Sequence, residues 1–433
     1  MSASCSANIT PANMRCRFAL LLALSLILAG SCFAILFVPP TPANNTYTAN
    51  TSVQINVSIE EANLSSLAYN WNGTNYTMYN NSLIFMANFD NVSSLGENGT
   101  AAADISPYGA SGTLYNAAYV AGKHGNALSF NGASSNASFP HTSTLNPGSQ
   151  LTITAWIKAT SWSAASYQGT IVGKDEWSGV GSYSKGYVLR VGENGRASFT
   201  IGVGNAGTWY EAITPQVMST GTWYRLTATF NGTLQRIYIN GALINSSTTP
   251  YFSIGASTYP LVIGSGVYEA ARKFNGLIDE VRIWNRTLSA SEIYIDYASN
   301  LQKYNATQWY LYVNQSKNAT AGLDPGTYSY QVFATDAMSS ANPTEQRNIT
   351  ISSQALSLNC SSLSAAGTTY NLSSNLTANG STCFIITAQN VTLNCAGYSV
   401  IGNNTLSAFG LYSNQYGTAV ANCTFINFTT SIV

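Results

Sequence analysis

Residues 274–293 constrain the fold most strongly, because a strand pattern turns into a helix start within this one stretch. Val281 and Ile283 alternate with polar neighbours, which is the period of a half-buried β-strand. Ser289 and Glu292 then stand three residues apart and predict a capping box. The stretch is therefore expected to be a strand that leads directly into a short helix.

The two acidic residues of this stretch, Asp279 and Glu280, raise the question of glycoside hydrolysis, which needs two carboxylates that face each other. Adjacent residues of a strand point to opposite faces, so Asp279 is expected on the face of Val281 and Ile283. Glu280 is then expected on the face of Arg282. We predict that Asp279 hydrogen-bonds a loop backbone and that Glu280 pairs with Arg282 on the surface, without a catalytic role.

The composition excludes several functional classes. Only 8% of the 433 residues are charged and the net charge is zero, so the chain lacks the basic footprint of a nucleic-acid-binding protein. Aromatic residues make up 12%, which is too much apolar surface for a disordered chain. Neither histidine lies in a hydrolase or zinc-protease motif, and no catalytic residue is predicted.

The N-terminal part contains an apolar run, residues 18–38, that is long enough to span a membrane. Arg15 and Arg17 precede it, so residues 1–17 are expected to stay in the cytoplasm and residues 39–50 to form a linker outside. A cleaved signal peptide is the alternative, and lipidation at Cys32 is a third. In each case the rest of the chain lies outside the cell, either anchored by this helix or secreted.

Asn-x-Ser/Thr sequons are frequent along the exterior part. An Asn- and Thr-rich β protein produces some of them by chance, and the remainder favours a glycosylated exterior protein. The candidate acceptor residues include Asn56, Asn72, Asn231, Asn305, Asn390 and Asn427.

Residues 82–299 resemble the laminin-G-like, concanavalin A-like jelly-roll domains, a β-sandwich superfamily usually concerned with binding. The resemblance implies an all-β fold and recognition of glycans or glycoproteins. A Glu-x-Asp-x-x-Glu strand typical of the related glycosidases is missing. The motifs that carry the resemblance are, in order, residues 82–90, 125–132, 151–158, 223–232, 235–241, 261–265 and 274–293.

Residues 51–81 and 300–353 read as short strands on either side of this domain. The pattern of residues 326–336 resembles the penultimate strand of immunoglobulin-like surface modules. We therefore propose one immunoglobulin-like sandwich that is split by insertion of the jelly roll. The alternative is an N-terminal linker followed by a small independent sandwich.

Residues 354–433 contain a repeat that superposes Cys395 on Cys423, a period of 28 residues. The sequence of this region resembles the first coils of a right-handed parallel β-helix. A β-helix of this length would be incomplete. Stacked coils would lie about 4.8 Å apart, which lets Cys395 and Cys423 form a disulfide, with Cys360 and Cys383 as the second pair. Stacked free thiols are the alternative, whereas a zinc site lacks a Cys-x-x-Cys pair.

Glycan binding needs exposed aromatic rings beside polar side chains. Five aromatic residues lie in Gly- and Ser-rich context and are the candidate ligand-binding residues, although packing at the rim of the sandwich would explain each singly. They are Trp162, Trp177, Tyr183, Trp209 and Tyr210.

Calcium is a further candidate ligand, because relatives of this fold bind one ion at the rim through carboxylates and carbonyls. No other cofactor is expected. The acidic loop residues that could take part are Asp90, Asp104, Asp175 and Glu176.

The sequence thus predicts a cell-surface recognition or adhesion protein without catalysis, whose partners are glycans or surface glycoproteins. The combination of modules resembles archaeal cell-surface proteins. One alternative is the binding module of a carbohydrate-active enzyme whose catalytic β-helix is incomplete here. Another is a structural component of a surface coat.

Overall fold

A computed structural model describes residues 33–433 except residues 164, 166–167, 177–182, 207, 251, 268–271, 353–358 and 373. The fold is almost entirely β and consists of a central jelly roll, a flanking sandwich and a C-terminal region of parallel coils. No helix within these residues is long and apolar enough to cross a membrane.

The first five strands belong to a sandwich that is completed much later in the chain. Val53, Ile55, Val57 and Ile59 alternate with more polar residues and are all buried, which sets the inner face. The strands are β1 (Ala34–Val38), β2 (Thr46–Thr48), β3 (Val53–Glu60), β4 (Leu64–Trp71) and β5 (Thr74–Tyr79).

The predicted membrane or signal helix over residues 18–38 is wrong at its C-terminal end, where strand β1 lies. Residues 18–32 of the apolar run lie outside the described residues, but Ala34–Val38 pair antiparallel with β3. An apolar run alone cannot separate a helix from a strand. The last residues of the predicted span 18–38 are therefore strand.

The jelly roll is formed by sixteen strands in two antiparallel sheets that enclose one apolar core. Two short 3-10 turns interrupt its loops at Ser93–Leu95 and Ser143–Leu145. The strands are β6 (Leu83–Ala87), β7 (Ala101–Ala103), β8 (Ser111–Tyr115), β9 (Ala118–Ala121), β10 (Asn126–Asn131), β11 (Asn136–Phe139), β12 (Leu151–Ala159), β13 (Thr170–Glu176), β14 (Tyr183–Gly192), β15 (Arg196–Ala206), β16 (Trp209–Ile213), β17 (Tyr224–Phe230), β18 (Leu234–Ile239), β19 (Ala242–Thr248), β20 (Leu261–Ile263) and β21 (Asn275–Trp284).

The first sheet has the order β19-β18-β17-β12-β21-β10-β9, with β6 also beside β21. The second has the order β16-β15-β14-β13-β20-β11-β8-β7. The predicted hairpin around Asn231 is present as β17 and β18. The outer face of the first sheet packs against the elements that follow the jelly roll.

A bulge in β21 changes which side chains share a face. Trp156 of β12 pairs with Asp279 while Thr154 pairs with Arg282, so β21 holds one extra residue at this point, and Glu280 has a φ of 50°. Ile278, Val281 and Ile283 therefore all lie in the core, while Asp279 and Arg282 both lie on the outer face. The alternation argument was wrong for Asp279 because it assumed an unbroken pleat.

Helix α1 (Ala290–Ala298) follows β21 directly, as predicted. Ser289 is its N-cap, and the reciprocal bonds of the capping box with Glu292 are both present. The chain continues through β22 (Ser299–Lys303), β23 (Gln308–Gln315), β24 (Gly326–Asp336), β25 (Ala341–Pro343) and β26 (Arg347–Ile351).

These strands pair with the strands that precede the jelly roll. Strand β3 pairs with β23, and β4 pairs with β24. One sheet has the order β1-β3-β23-β22 and the other β2-β26-β24-β4-β5, with β25 beside β24. The jelly roll is thus inserted between the two halves of one flanking sandwich, made of β1–β5 and β22–β26, rather than preceded by a separate linker.

The coil region is built from short parallel strands in three sheets. Cys360 is bonded to Cys383 and Cys395 to Cys423, the two pairings expected from the stacked repeat. Its strands are β27 (Ser361–Leu363), β28 (Thr369–Asn371), β29 (Leu376–Thr377), β30 (Phe384–Ile386), β31 (Thr392–Asn394), β32 (Ser399–Ile401), β33 (Phe409–Ser413), β34 (Ala419–Ala421), β35 (Thr424–Ile426) and β36 (Thr430–Ile432).

Candidate functional site

Of the five aromatic residues predicted from sequence, the three whose side chains the structure describes do not form one platform. Trp162 is half-buried against the jelly-roll core, and its indole lies over Gly195 in the turn between β14 and β15. Trp209 and Tyr210 lie on the edge strand β16, where Tyr210 also packs on the core. Trp177 and the side chain of Tyr183 fall outside the described residues.

Trp162 is far from the β16 pair. Trp209 pairs with Gly202, and Trp162 packs near Gly195 at the other end of the same strand region. Seven residues of extended chain span roughly 20 Å. A single ligand ring could not contact both Trp162 and Trp209.

The four acidic residues considered as calcium ligands each contact another residue of the protein. Asp90 accepts a hydrogen bond from the Asn126 N–H, and Asp104 accepts one from the Met86 N–H. Asp175 lies 3.9 Å from Arg272, and Glu176 lies 3.2 Å from Lys185. Across the described part of the chain, no three His, Cys, Asp or Glu side chains gather at a metal-binding distance. The four carboxylates are thus not gathered in one such group within the described residues.

The six candidate glycosylation sites differ in the exposure of the asparagine side chain. Five of the six asparagines are exposed or half-buried at turns or bends: Asn72, Asn231, Asn305, Asn390 and Asn427. Asn56 is only 3% exposed, and its Nδ2 donates to the Pro39 carbonyl at 3.3 Å. The Asn56 side chain is therefore covered in the folded chain, unlike those of the other five candidates.

A buried ion-pair network joins the jelly roll to α1. Arg225 of β17 donates from Nε to Asp296 Oδ2 and from Nη2 to Asp296 Oδ1, each at 2.8 Å. Arg282 of β21 donates from Nη1 to Asp296 Oδ1 at 3.0 Å. Burial alone would raise the Asp296 pKa, but the two guanidinium groups outweigh it and hold the pKa below its ordinary value.

Glu280 completes this network, which we call the clasp: Arg225, Asp296, Arg282, Glu280 and Asn300. Arg282 Nη2 donates to Glu280 Oε2 at 2.9 Å, and Asn300 Nδ2 donates to Glu280 Oε1 at 2.9 Å. The predicted Glu280–Arg282 pair is therefore present but buried, not on the surface, because α1 and β22 cover it. Asp279 and Glu280 are 0% and 1% exposed, so burial removes both from contact with a substrate.

An open cleft of about 240 Å³ lies where the jelly roll, α1 and the flanking sandwich meet, and we call it the junction cleft. Domain interfaces are a preferred place for ligand sites. The lining residues are Lys123, His124 and Trp156 from the jelly roll, Tyr294, Tyr297 and Ala298 from α1, and Tyr312, Asn314, Ser316, Asn318 and Ala319 from β23 and the loop after it.

Aromatic rings follow one another along the junction cleft. The Trp156 and Tyr297 centroids are 5.7 Å apart, and the His124 centroid lies 6.1 Å from Trp156 and 6.3 Å from Tyr312. Lys123 Nζ lies 4.8 Å from the Trp156 ring centroid. Trp156 is nearly buried under its neighbours, whereas the other three rings are half-buried and leave part of their surface open.

The polar lining is partly fixed by hydrogen bonds. Tyr294 Oη and Ser316 Oγ are 2.6 Å apart, and the Ser316 N–H donates to Tyr294 Oη at 3.0 Å. Asn314 and Asn318 are exposed beside this wall. The cleft therefore offers hydroxyl and amide groups next to aromatic surface.

Among the cleft-lining residues that the structure describes, Lys123 is the one with a charged side chain. Burial lowers the pKa of His124 to about 3, helped by the nearby positive charges of Lys123, Arg225 and Arg282. The imidazole is neutral at physiological pH. Lys123 is consequently the one exposed cation among the described residues of the cleft.

Two carboxylates, the buried Asp279 and the half-buried Asp90, hold the turn that presents Lys123 and His124. Asp279 Oδ2 accepts hydrogen bonds from the backbone N–H of Lys123 at 2.8 Å and of His124 at 3.1 Å, which is the loop-backbone role predicted for Asp279. Asp90 Oδ1 accepts from the Asn126 N–H at 3.0 Å. These hydrogen bonds attach the turn to the first sheet.

Sequence reasoning missed the residues of the junction cleft. One signal was available on β23, where Tyr310 and Tyr312 alternate with the buried Trp309, Leu311 and Val313. A strand with aromatic residues on its solvent-facing side indicates a surface that is covered or binds a ligand. Trp156 and Tyr297 gave no such signal, because each reads as ordinary packing.

Comparison with known proteins places the central domain. Residues 131–294 match the family described as the Concanavalin A-like lectin/glucanases superfamily. No curated protein matches the chain.

Several solved structures are similar to the chain. One is domain 4 of AbnA, a GH43 extracellular arabinanase from Geobacillus stearothermophilus, in complex with arabinotriose (22% identity, 49% of this chain and 96% of that chain, TM-score 0.37). The binding domain of Paraclostridial Mosquitocidal Protein 1 is 17% identical over 51% of this chain and 54% of that chain, with a TM-score of 0.40. The ligand binding domain of botulinum neurotoxin serotype D, in complex with N-acetylneuraminic acid, is 16% identical over 52% of this chain and 54% of that chain, with a TM-score of 0.39. The central sandwich, with its two facing antiparallel sheets, is thus similar over residues 131–294 to the Concanavalin A-like lectin/glucanases superfamily.

Proposed function

We propose that this chain is a non-catalytic recognition protein of the cell exterior that binds glycans or surface glycoproteins in the junction cleft. The observation that carries the proposal is the sequence of rings from Tyr297 through Trp156 and His124 to Tyr312, bordered by amide and hydroxyl groups. Sugar rings have apolar faces that stack on aromatic surface and hydroxyl groups that bond to such polar neighbours.

The superfamily includes both lectins and glucanases by its description, so the choice between them rests on carboxylates. Hydrolysis needs two of them exposed to one substrate. Asp279 and Glu280 are buried beneath the turn and the clasp. Within the part of the chain that the structure describes, the lining of the junction cleft contains no acidic residue. This arrangement favours binding over hydrolysis.

An exterior location follows from two features. The disulfides of the coil region are the kind that persist in oxidising surroundings. The apolar run before β1 has the length of the apolar segment of a secretion signal and is short for a membrane anchor.

A glycan array probed with the full chain tests the proposal. We expect binding by the unmodified chain and loss of at least tenfold in affinity for the double variant Tyr297→Ala/Tyr312→Ala, since each ring contact contributes about 1 kcal/mol. Tyr115→Ala is the matched control, because it removes a tyrosine that is 52% exposed on the second sheet, away from the cleft. Equal binding by the cleft variant, or absence of any glycan bound by the unmodified chain, would overturn the proposal.

A further inference from the structure

We propose that the glycan site continues out of the junction cleft onto the flanking sandwich, along Tyr310 and Tyr304, and therefore takes an extended oligosaccharide chain. This inference rests on the proposed function. Tyr310 and Tyr312 are successive residues on the outer face of β23, so their side chains lie roughly 7 Å apart. Tyr312 lines the cleft, and Tyr310 is the next ring beyond it.

Tyr304 extends the row by one more ring. Its centroid lies 5.9 Å from that of Tyr310 in an edge-on arrangement, and the Tyr304 side chain is 48% exposed. The inner residues of β23 are buried in the sandwich core, which fixes the direction of the two tyrosines between them. Together with the cleft, these rings form one continuous aromatic strip, which we define as Tyr297, Trp156, His124, Tyr312, Tyr310 and Tyr304.

Amide side chains lie beside the aromatic strip, one next to Tyr310 and one next to Tyr312. Gln302 of β22 is the register neighbour of Tyr310, and its Nε2 donates to Asp90 Oδ2 at 2.8 Å, which fixes its position. Asn314 lies on the same face of β23 beyond Tyr312 and is exposed. A row of rings with amides beside it suits a chain of sugars, because each ring can stack on one unit while the amides bond to hydroxyl groups.

The strip draws on both sandwiches, since the jelly roll supplies Trp156 and His124 and the flanking sandwich supplies the last three tyrosines. A single terminal sugar would fill the cleft and leave Tyr310 and Tyr304 without a role. An extended chain uses the open rings of the strip, which lie on both sandwiches, while the nearly buried Trp156 packs beneath them. The split architecture is thus part of the binding surface.

The test compares ligands of increasing length. The probes are linear gluco-, manno-, arabino- and N-acetylglucosamine oligosaccharides, each from the disaccharide to the hexasaccharide, titrated calorimetrically into the full chain. The protein is produced in a host without N-glycosylation, so that no glycan on Asn305, next to Tyr304, covers the strip. For the series that binds, we expect affinity to rise at least tenfold with length.

Two variants test whether the rise in affinity with oligosaccharide length depends on Tyr304 and Tyr310. Tyr304→Ala/Tyr310→Ala is expected to lose the tenfold gain while it keeps the affinity of the unmodified chain for the disaccharide. Tyr47→Ala, which removes a tyrosine that is 56% exposed on the other sheet of the flanking sandwich, should keep both. Disaccharide binding without a length effect, or a length effect that survives in the double variant, would overturn the extension and leave the cleft intact. If no probe of any length binds, the proposed function and the extension both fall.

Discussion

Arg225 and Asp296 are joined by two parallel hydrogen bonds of 2.8 Å, although 71 residues separate them in the chain. Arg225 belongs to the jelly roll, and Asp296 lies on the helix that leads into the second half of the flanking sandwich. Arg282 shares the same carboxylate. The clasp therefore holds together the two sandwiches whose meeting point forms the junction cleft.

Replacement of Asp296 by Asn is expected to lower the free energy of unfolding of the jelly roll by about 3–5 kcal/mol, because two buried guanidinium groups lose their shared counter-charge. Chemical denaturation followed by tryptophan fluorescence measures the change. Asp324→Asn is the matched control, since the Lys317–Asp324 pair is exposed and should contribute little. Similar small effects of both substitutions would show that the clasp does not stabilise the fold.

Asp279 makes the stability depend on pH. Burial raises the pKa of Asp279 to about 8, whereas an unfolded aspartate titrates near about 3.9. The folded state therefore favours the protonated acid, and this stabilisation is complete below pH ~4 and is lost as the pH rises through about 8. Asp279→Asn keeps an acceptor for the Lys123 and His124 N–H groups and cannot ionise.

We expect Asp279→Asn to raise the thermal midpoint at pH 8 relative to the unmodified chain and to flatten its decline between pH 4 and pH 8. Differential scanning calorimetry at several pH values gives both quantities. A variant whose midpoint declines as steeply as that of the unmodified chain would contradict the assignment.

The Cys395–Cys423 bond closes a loop with a sequence separation of 28 residues in the coil region. Loss of the bond in Cys395→Ser/Cys423→Ser should destabilise this region by about 3–4 kcal/mol. Limited proteolysis should then cleave the coil region first. Residues 33–352 contain no cysteine, so both sandwiches should melt as before, also in reductant. Equal loss of stability in the sandwiches would be the contrary result.

Glycan occupancy should follow burial. In a host that glycosylates Asn-x-Ser/Thr sites, peptide mapping by mass spectrometry is expected to find Asn56 unmodified, because its side chain is buried and bonded to Pro39. Asn231 lies exposed in the turn between β17 and β18 and is the matched accessible site. Modification of Asn56 in folded, secreted protein would contradict the placement of β1 against β3.

Local patterns predicted the fold well wherever local physics decides it. The alternation of Val281 and Ile283 and the capping box of Ser289 and Glu292 are all present. The bulge at Glu280 was not foreseeable, because the partners that compensate the extra residue, Arg225 and Asn300, are distant in the chain and no turn signal marks it in the sequence. It moved Asp279 to the other face.

The candidate site was beyond local prediction for a different reason. Trp156, Tyr297 and Tyr312 come together only because the jelly roll is inserted into the flanking sandwich, and each of them alone reads as a packing residue. The predicted Trp162 and Tyr210 have loop or edge positions that suggested exposure, yet both pack on the core. These two residues remain candidates for ligand binding, but the structure places them away from the junction cleft.

A crystal structure of the full chain with the oligosaccharide that binds most tightly tests the central claim most directly. The account predicts sugar density in the junction cleft, with a ring stacked on Tyr312 or Tyr297 and a hydroxyl group within hydrogen-bond distance of Asn314 or Ser316. Density on the second sheet of the jelly roll beside Trp209, with the junction cleft free of sugar, would contradict it.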